Sequence, residues 1–225
     1  MNQLYIKSLL LGLCFLIGSY SYAGEVVFSQ DFKTRIQGIS ITTNRSLEIT
    51  DEGTYVFLIK TSNFFVKLQE ESVFERLEDG SFRPLSNKSE RKILGVSRKF
   101  STTFDWNSMV ATYERGDEIK ETVLEPGMVD RTMYQYLIEL ELRSGNPVLN
   151  YQVVDRGRIR NYIFENLGVE DIEIEGQPMS AFKLRRVSDD GDRETLVWMS
   201  VELDYEMVKI FHSDDGDEYT MTRKI

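Results

Sequence analysis

The stretch MVKIFHSDDGDEYTMTRKI, Met207 to Ile225, contains two runs rich in apolar and β-branched residues with Asp215-Gly216 between them. Asp and Gly tolerate the positive φ angles of a tight two-residue turn, so this arrangement indicates a β-hairpin. The same five letters, SDDGD, occur at Ser188–Asp192, again between two apolar runs. We therefore expect the same turn to be used twice in this part of the chain.

A calcium-binding loop is the alternative interpretation of the two SDDGD stretches. An EF-hand loop has carboxylates at alternate positions, Gly at the sixth position and Glu at the twelfth. With Gly191 at the sixth position, the first ligand would be Arg186. With Gly216 there, it would be Phe211. Neither side chain ligates calcium, so the hairpin interpretation is preferred and no metal site is predicted.

Hairpin spacing continues through most of the chain from Gly24 onward. Short runs rich in Val, Ile, Thr, Tyr and Phe alternate apolar with polar residues, as in Leu149, Tyr151 and Val153. Turn signals such as Asp79-Gly80 separate the runs at short intervals. A period of two interrupted by Gly-containing turns is typical of half-buried antiparallel strands. The pattern predicts a β-meander.

One segment between Pro126 and Pro147 has helical spacing instead. Asp130 is a suitable N-cap, Gly145 a C-terminal stop, and Glu139 is four residues from Arg143, as in a helical ion pair. A second, weaker helix is expected around Phe64 to Phe74. The main helix is apolar around much of its circumference, which indicates burial on more than one side. Its apolar positions are Met133, Tyr134, Leu137, Ile138, Leu140 and Leu142.

These patterns together predict a mainly β fold. We expect one domain, from Gly24 to Ile225, in which a curled antiparallel sheet, an open β-barrel, wraps one principal α-helix. No linker or change of composition divides this range.

Residues 1–23 have the features of a secretory signal peptide. Lys7 is followed by an apolar run, Leu9–Ile17, too short to span a bilayer comfortably. Ser21-Tyr22-Ala23 places small residues where a signal peptidase cleaves. We predict cleavage after Ala23 and no transmembrane segment in the mature chain; an uncleaved anchor is the alternative. Cys14, the only cysteine, would be removed with the signal.

The charge balance limits the partners. The 225 residues include 37 acidic and 27 basic side chains, for a formal net charge of −10. Affinity for nucleic acid comes mainly from clustered Lys and Arg, so no nucleic-acid partner is expected. One basic cluster departs from this balance; it is either a solvated strand face or a patch for an envelope protein. Its members are Lys88, Arg91, Lys92, Arg98 and Lys99.

No catalytic constellation stands out. His212 is the only histidine, and no G-x-S-x-G nucleophile elbow accompanies it. A strand-end residue beside the Asp214 turn is the simpler interpretation. With 37 acidic residues, the sequence cannot nominate a glycosidase-like carboxylate pair. The sequence predicts no cofactor, and enzymatic activity is the least favoured class.

Aromatic residues provide the remaining candidate site. A curled sheet with a helix across it often leaves an apolar cavity. Core filling is the simpler interpretation, because sequence does not distinguish a lined cavity from a filled one. If a ligand is bound, we expect it to contact Phe64, Phe65, Trp106, Tyr134, Leu137 and Trp198.

A series of short motifs follows in a fixed order along the chain. They are Phe82-Arg83-Pro84-Leu85, Phe104-Asp105-Trp106, the helix with Tyr134 and Tyr136, Asp155-Arg156-Gly157-Arg158, and Leu196-Val197-Trp198-Met199-Ser200. In this order the chain resembles the DUF3108 family, exported bacterial proteins of unassigned function. The resemblance implies a periplasmic location and an open antiparallel β-barrel with a helix, similar to lipoprotein carriers of the LolA and LolB type. It implies no catalytic residues.

Three functions follow as hypotheses. The first is a periplasmic protein that binds an apolar or amphipathic ligand, such as a lipid or acyl chain, inside the open barrel. The second is a structural or protein-interaction component of the bacterial envelope, with the basic cluster as its partner patch. The third, ranked last, is a hydrolase of envelope glycans.

Overall fold

The computed structural model describes residues 24–36, 39–62, 66–93, 95–145, 147–187 and 193–225. These residues contain fifteen strands and one α-helix, α1 (Tyr134–Arg143). The strands are β1 (Glu25–Ile36), β2 (Ile39–Ile49), β3 (Tyr55–Ser62), β4 (Val66–Arg76), β5 (Phe82–Ile93), β6 (Val96–Asp105), β7 (Val110–Arg115), β8 (Glu118–Val123), β9 (Val129–Asp130), β10 (Asn150–Val154), β11 (Ile159–Ile174), β12 (Gln177–Arg186), β13 (Arg193–Ser200), β14 (Glu206–Asp214) and β15 (Asp217–Arg223).

All fifteen strands in the described residues belong to one sheet. Its order is β8-β7-β6-β5-β4-β3-β2-β1-β15-β14-β13-β12-β11-β10-β9. Every pair of neighbours is consecutive along the chain except β1 and β15, which pair antiparallel, with Phe32 opposite Arg223. The pairing is antiparallel throughout except between β9 and β10. The sheet is open between β8 and β9, so the prediction of a mainly β, unclosed antiparallel sheet with one helix is confirmed.

The β14–β15 hairpin has the turn that the sequence predicts. Asp214 pairs with Asp217, which leaves Asp215-Gly216 as a two-residue loop. The φ angles of these loop residues are 52° and 84°. Two consecutive positive φ angles define the tight hairpin turn that Asp-Gly favours. The second SDDGD copy, Ser188–Asp192, lies outside the described residues.

The principal helix is confirmed, and it ends two residues before Gly145 as expected. Its beginning differs from the prediction. The helix follows Met133, with no side-chain cap, and Asp130 instead accepts hydrogen bonds from the backbone N–H groups of Thr132 and Met133. Asp130 is in strand β9, so its side chain stabilises the turn between this strand and the helix.

The prediction of a second helix around Phe64 to Phe74 is wrong. Val66–Arg76 is strand β4, paired along its length with β3 and β5. Its most buried side chains, Ser72 and Phe74, are two residues apart and share one face. The period of two decides the structure here, because both neighbouring strands supply hydrogen-bond partners.

The main hydrophobic cluster lies between α1 and the inner face of the curled sheet. The helix contributes buried Tyr136, Ile138 and Leu142. The sheet contributes buried residues from strands far apart in the chain, among them Phe32, Leu47, Phe57, Phe74, Val153, Leu184, Val197 and Met207. The helix thus occupies much of the interior that the sheet encloses, which agrees with its apolar circumference.

Candidate ligand-binding cavity

A cavity of about 260 Å³, partly open to solvent, lies beside the helix on the inner face of the sheet. This volume is slightly below the roughly 300–1,000 Å³ typical of small-molecule sites. Helix α1 and strands β2, β3 and β11–β15 contribute to its wall. The apolar part of the lining consists of Ile59, Ile138, Phe164, Val197, Met199, Met207, Ile210 and Met221. Three of these side chains are Met, whose flexible thioether adapts to ligands of irregular shape.

Alternation along β13 explains which side chains reach the cavity. Thr195, Val197 and Met199 point inward and line it. Leu196 and Trp198 lie between them in sequence and pack in a separate hydrophobic cluster. Successive side chains of a strand point to opposite faces, so this second cluster lies on the outer face of the sheet.

Polar side chains gather in one part of the cavity lining. Thr195 Oγ1 lies 2.8 Å from His212 Nδ1, and the His212 ring packs on Tyr219 with the ring centroids 5.3 Å apart. Burial lowers the pKa of His212, opposed by the nearby carboxylate of Asp214. The imidazole is therefore biased toward its neutral form, which can donate one hydrogen bond and accept another.

Arg186 supplies a cation beside this group. Its guanidinium stacks on the ring of Tyr162, 3.6 Å from the ring centroid. Among the described residues Arg186 has no carboxylate within ion-pair distance, although it lines the cavity. A guanidinium that is oriented by stacking and lacks a carboxylate partner can form paired hydrogen bonds to an incoming carboxylate or phosphate.

The helix side of the cavity is fixed by a buried ion pair. Arg45 Nη2 lies 3.3 Å from Glu139 Oε1, and both side chains are almost completely buried. Arg45 also donates from Nη1 to Gln30 Oε1 at 3.1 Å. Burial raises the pKa of Glu139, and the charge of Arg45 opposes this shift. The predicted Glu139–Arg143 pair is present at 3.9 Å, but Arg45 is the closer partner.

A second buried polar group holds the start of the helix against the sheet. The side chain of Ser72 in β4 donates to Asp130 in β9. Asn87 in β5 donates from Nδ2 to Thr132 Oγ1 at 3.0 Å and to Asp130 Oδ1 at 3.3 Å. Burial raises the pKa of Asp130 to about 6, despite the hydrogen bonds that favour its charged form. These contacts position α1, and therefore one wall of the cavity.

Of the six residues expected at the ligand, the four that the structure describes do not come together. Tyr134 lines the cavity, and Leu137 packs against the main hydrophobic cluster. Trp106 belongs to another cluster, where its indole N–H donates to the carbonyl of Pro84 at 2.7 Å. Trp198 lies on the outer face. Phe64 and Phe65 lie outside the described residues.

The cavity residues that the sequence analysis missed are mainly aliphatic and Met side chains of β13–β15. The sequence signal that could have identified them is strand alternation. Val197 and Met199 share one face of β13, and Ile210 and His212 share one face of β14. Alternation gives two faces for each strand but does not tell which one is inside. The expectation relied on aromatic residues, and Trp198 is on the opposite face from Val197.

Ion pairs with nearby carboxylates neutralise much of the positive charge of the basic cluster on β5 and β6. Arg91 and Arg98 are cross-strand neighbours and share one face, whereas Lys88, Lys92 and Lys99 are on the other. Three members have carboxylate neighbours on adjacent strands. These pairs are Lys88–Glu71 at 3.6 Å, Arg91–Glu70 at 3.6 Å and Lys99–Glu90 at 3.5 Å. The cluster is therefore not one continuous cationic patch.

The described part of the chain has neither a metal-binding cluster nor a membrane-spanning helix. No group of three or more His, Cys, Asp or Glu side chains there is arranged to hold a metal ion. No helix in the same residues has both the length and the hydropathy to cross a bilayer.

The fold and cavity define a β-barrel-like protein whose open antiparallel sheet surrounds a helix. The chain belongs to the family described as "Protein of unknown function (DUF3108)", whose model matches residues 31–224. The resemblance inferred from the motif order is thereby confirmed. No curated protein matches the sequence.

A similar solved structure is the crystal structure of a beta-barrel-like protein of domain of unknown function DUF1849 from Brucella abortus. The two chains are 8% identical, the TM-score is 0.50, and the match covers 90% of this chain and 98% of the other. At this identity the likeness shows a shared fold.

Proposed function

We propose that the protein binds the apolar chain of an amphipathic ligand, such as a fatty acid or a lipid acyl chain, in the cavity beside α1. The observation that carries this proposal is the cavity of about 260 Å³ between α1 and β11–β15, with eight apolar side chains in its lining. Burial of an apolar chain there is favoured by roughly 25 cal/mol for each Å² removed from water.

The polar residues of the lining define the other end of the ligand. Arg186, His212 and Tyr219 line the same cavity as the apolar residues. A carboxylate or phosphate near Arg186 would receive charge-assisted hydrogen bonds, while the apolar chain contacts Met199, Met207 and neighbouring residues. An acidic head group on an apolar chain therefore matches the lining better than a purely apolar molecule does.

We also propose that the protein acts in the periplasm, after removal of residues 1–23. The support is the sequence pattern around Leu9–Ile17 and Ser21-Tyr22-Ala23. N-terminal sequencing of the protein from a periplasmic extract would give Gly24 as its first residue. Recovery of the uncleaved chain with the membrane fraction would contradict this proposal.

The binding proposal is tested with a substitution in β15 whose larger side chain fills the cavity. Met221 lines the cavity, and its neighbour Thr222 points to the other face of β15. We expect Met221→Trp to abolish binding of straight-chain fatty acids, measured by calorimetry over a series from hexanoate to palmitate. Thr222→Trp is the matched control, because it adds the same side chain outside the cavity.

The outcome separates ligand binding from general adhesion. Saturable binding that survives Thr222→Trp and is lost in a folded Met221→Trp variant supports the proposal. Binding that is equal in both variants, or absent for every chain length, overturns it. Native mass spectrometry of protein purified without detergent adds an independent result, since a retained ligand appears as extra mass that is lost on denaturation.

A further inference from the structure

A second, strongly cationic cleft lies where β7 and β8 meet the turn between β10 and β11. Its volume is about 190 Å³, and its walls are mostly charged. We call it the seam cleft. Its lining is Tyr113, Arg115, Glu118, Lys120, Asp155, Arg156, Arg158 and Arg160. Five cationic side chains thus face two carboxylates, in a chain whose formal net charge is −10.

The carboxylates do not neutralise the seam cleft. Asp155 is shared by three guanidinium groups: its nearest oxygens lie 3.5 Å from Arg160 Nε, 3.7 Å from Arg131 Nε and 3.9 Å from Arg156 Nε. Glu118 pairs with Lys120, whose hydrogen bond lowers its pKa, and the charges of Arg115 and Arg158 lower it further. Within the described residues Arg115 and Arg158 have no carboxylate partner of their own. The cleft therefore has positive charge left for a ligand.

The backbone places these side chains in a fixed arrangement. Gly157 has a φ of 70°, and a Cβ atom added to it would lie 2.6 Å from Lys120 Cβ. The turn Asp155-Arg156-Gly157-Arg158 is therefore packed directly on β8, at a distance that only Gly permits. The Arg156 guanidinium is also held over the ring of Phe100, 5.5 Å from its centroid. The cleft therefore lies at a packed contact between two parts of the sheet.

We propose that the seam cleft binds an oxyanion of the phosphate class, either free or as a lipid head group. Four of the five cations are Arg, whose planar guanidinium forms paired hydrogen bonds to phosphate. The cleft volume of about 190 Å³ suits a head group or a small anion rather than an apolar chain. This inference does not depend on the proposed acyl-chain site, which is lined by other residues.

The test uses inorganic pyrophosphate and phosphatidylglycerol vesicles as separate probes of the mature chain. We expect saturable binding of at least one probe, weakened about tenfold or more in Arg115→Gln/Arg158→Gln, because charge-assisted hydrogen bonds are lost. Lys88→Gln/Lys99→Gln is the control, since it removes the same charge from β5 and β6. Thermal unfolding of both double variants establishes that they fold.

The two probes distinguish the sources of the anion. Binding of pyrophosphate alone identifies a free anion, and binding of vesicles alone identifies a lipid head group; either result supports the proposal if the control variant binds normally. Absence of saturable binding to both probes overturns it. An equal loss in the control variant also overturns it, because the attraction would then follow total charge rather than the seam cleft.

Discussion

Arg45 of β2 and Glu139 of α1 form an ion pair with 3.3 Å between Arg45 Nη2 and Glu139 Oε1, both side chains being almost inaccessible to solvent. The Arg45 guanidinium also lies near the rings of Phe28, Phe32 and Phe57, with 5.2 to 5.7 Å to their centroids. The pair connects the only helix of the described residues to the sheet that surrounds it. It fixes the helix in register within an otherwise apolar interior.

We expect Glu139→Ala to lower the free energy of unfolding by about 3–5 kcal/mol, because it leaves the Arg45 charge buried without its partner. The double variant Arg45→Met/Glu139→Leu should recover much of this loss, since it removes both charges. Urea denaturation measures both effects. Glu165→Ala is the control: it breaks the exposed Arg185–Glu165 pair and should cost less than about 1 kcal/mol. A double variant as unstable as Glu139→Ala would contradict this explanation.

Asp130 makes stability depend on pH. Its pKa is raised from 3.8 to about 6 by burial, so the folded protein holds this proton more tightly than the unfolded chain. The resulting stabilisation is present below the unfolded pKa and is lost as the pH rises through about 6. Relative to Asp130→Asn, the wild-type free energy of unfolding should fall by about 2 kcal/mol between pH values of about 4 and 7. Denaturation curves across this range test it; a constant difference between the two proteins would contradict it.

The Gly157 contact can be tested by comparing two glycines. Gly157→Ala introduces a Cβ only 2.6 Å from Lys120 Cβ, at a φ of 70°. Gly116→Ala has a similar φ of 60° but places its Cβ in open space. The positive φ should cost about 1–2 kcal/mol in each variant. Gly157→Ala should cost about 1–3 kcal/mol more, from overpacking against β8. Equal thermal destabilisation of the two variants would show that the turn moves away from Lys120 without cost.

Arg186 should discriminate between ligand head groups. We expect Arg186→Gln to weaken binding of decanoate about tenfold and to leave binding of decanol nearly unchanged, because only the carboxylate loses a charge-assisted hydrogen bond. Calorimetric titration of both compounds measures this difference. Arg185→Gln is the matched control, since Arg185 is the preceding residue in β12 and is already paired with Glu165. Equal weakening of decanoate and decanol would place the head group elsewhere.

The fold was largely predictable because its signals are local. An Asp-Gly pair between two β-rich runs specifies a hairpin, and helical spacing between Pro126 and Pro147 specifies α1. Glu139 shows a contact that local sequence patterns cannot predict. Its helix neighbour Arg143 accounts for one ion pair, but the closer partner of the buried carboxylate is Arg45, 94 residues away in the chain. The cavity was not predictable for the same reason, since its volume depends on how side chains from distant strands pack.

Trp198 illustrates the limit for individual site residues. Alternation places it on the face opposite Val197, but which of the two faces is internal depends on the curl of the whole sheet. Large aromatic residues serve equally well in a core, in a cavity wall or on a covered outer face. Residue type alone was therefore a poor guide to the lining of the cavity.

The pairing of β1 with β15 has a consequence for the order of folding. Phe32 and Arg223 are opposite each other although they come from the first and last strands of the described chain. The hairpins can form locally, but β1 acquires its second neighbour only when β15 has been synthesised. Contacts of such long sequence separation carry a large loop-closure entropy and slow the overall rate. Until then, β1 and β14 each present an unpaired edge, on which chaperones or other chains could act.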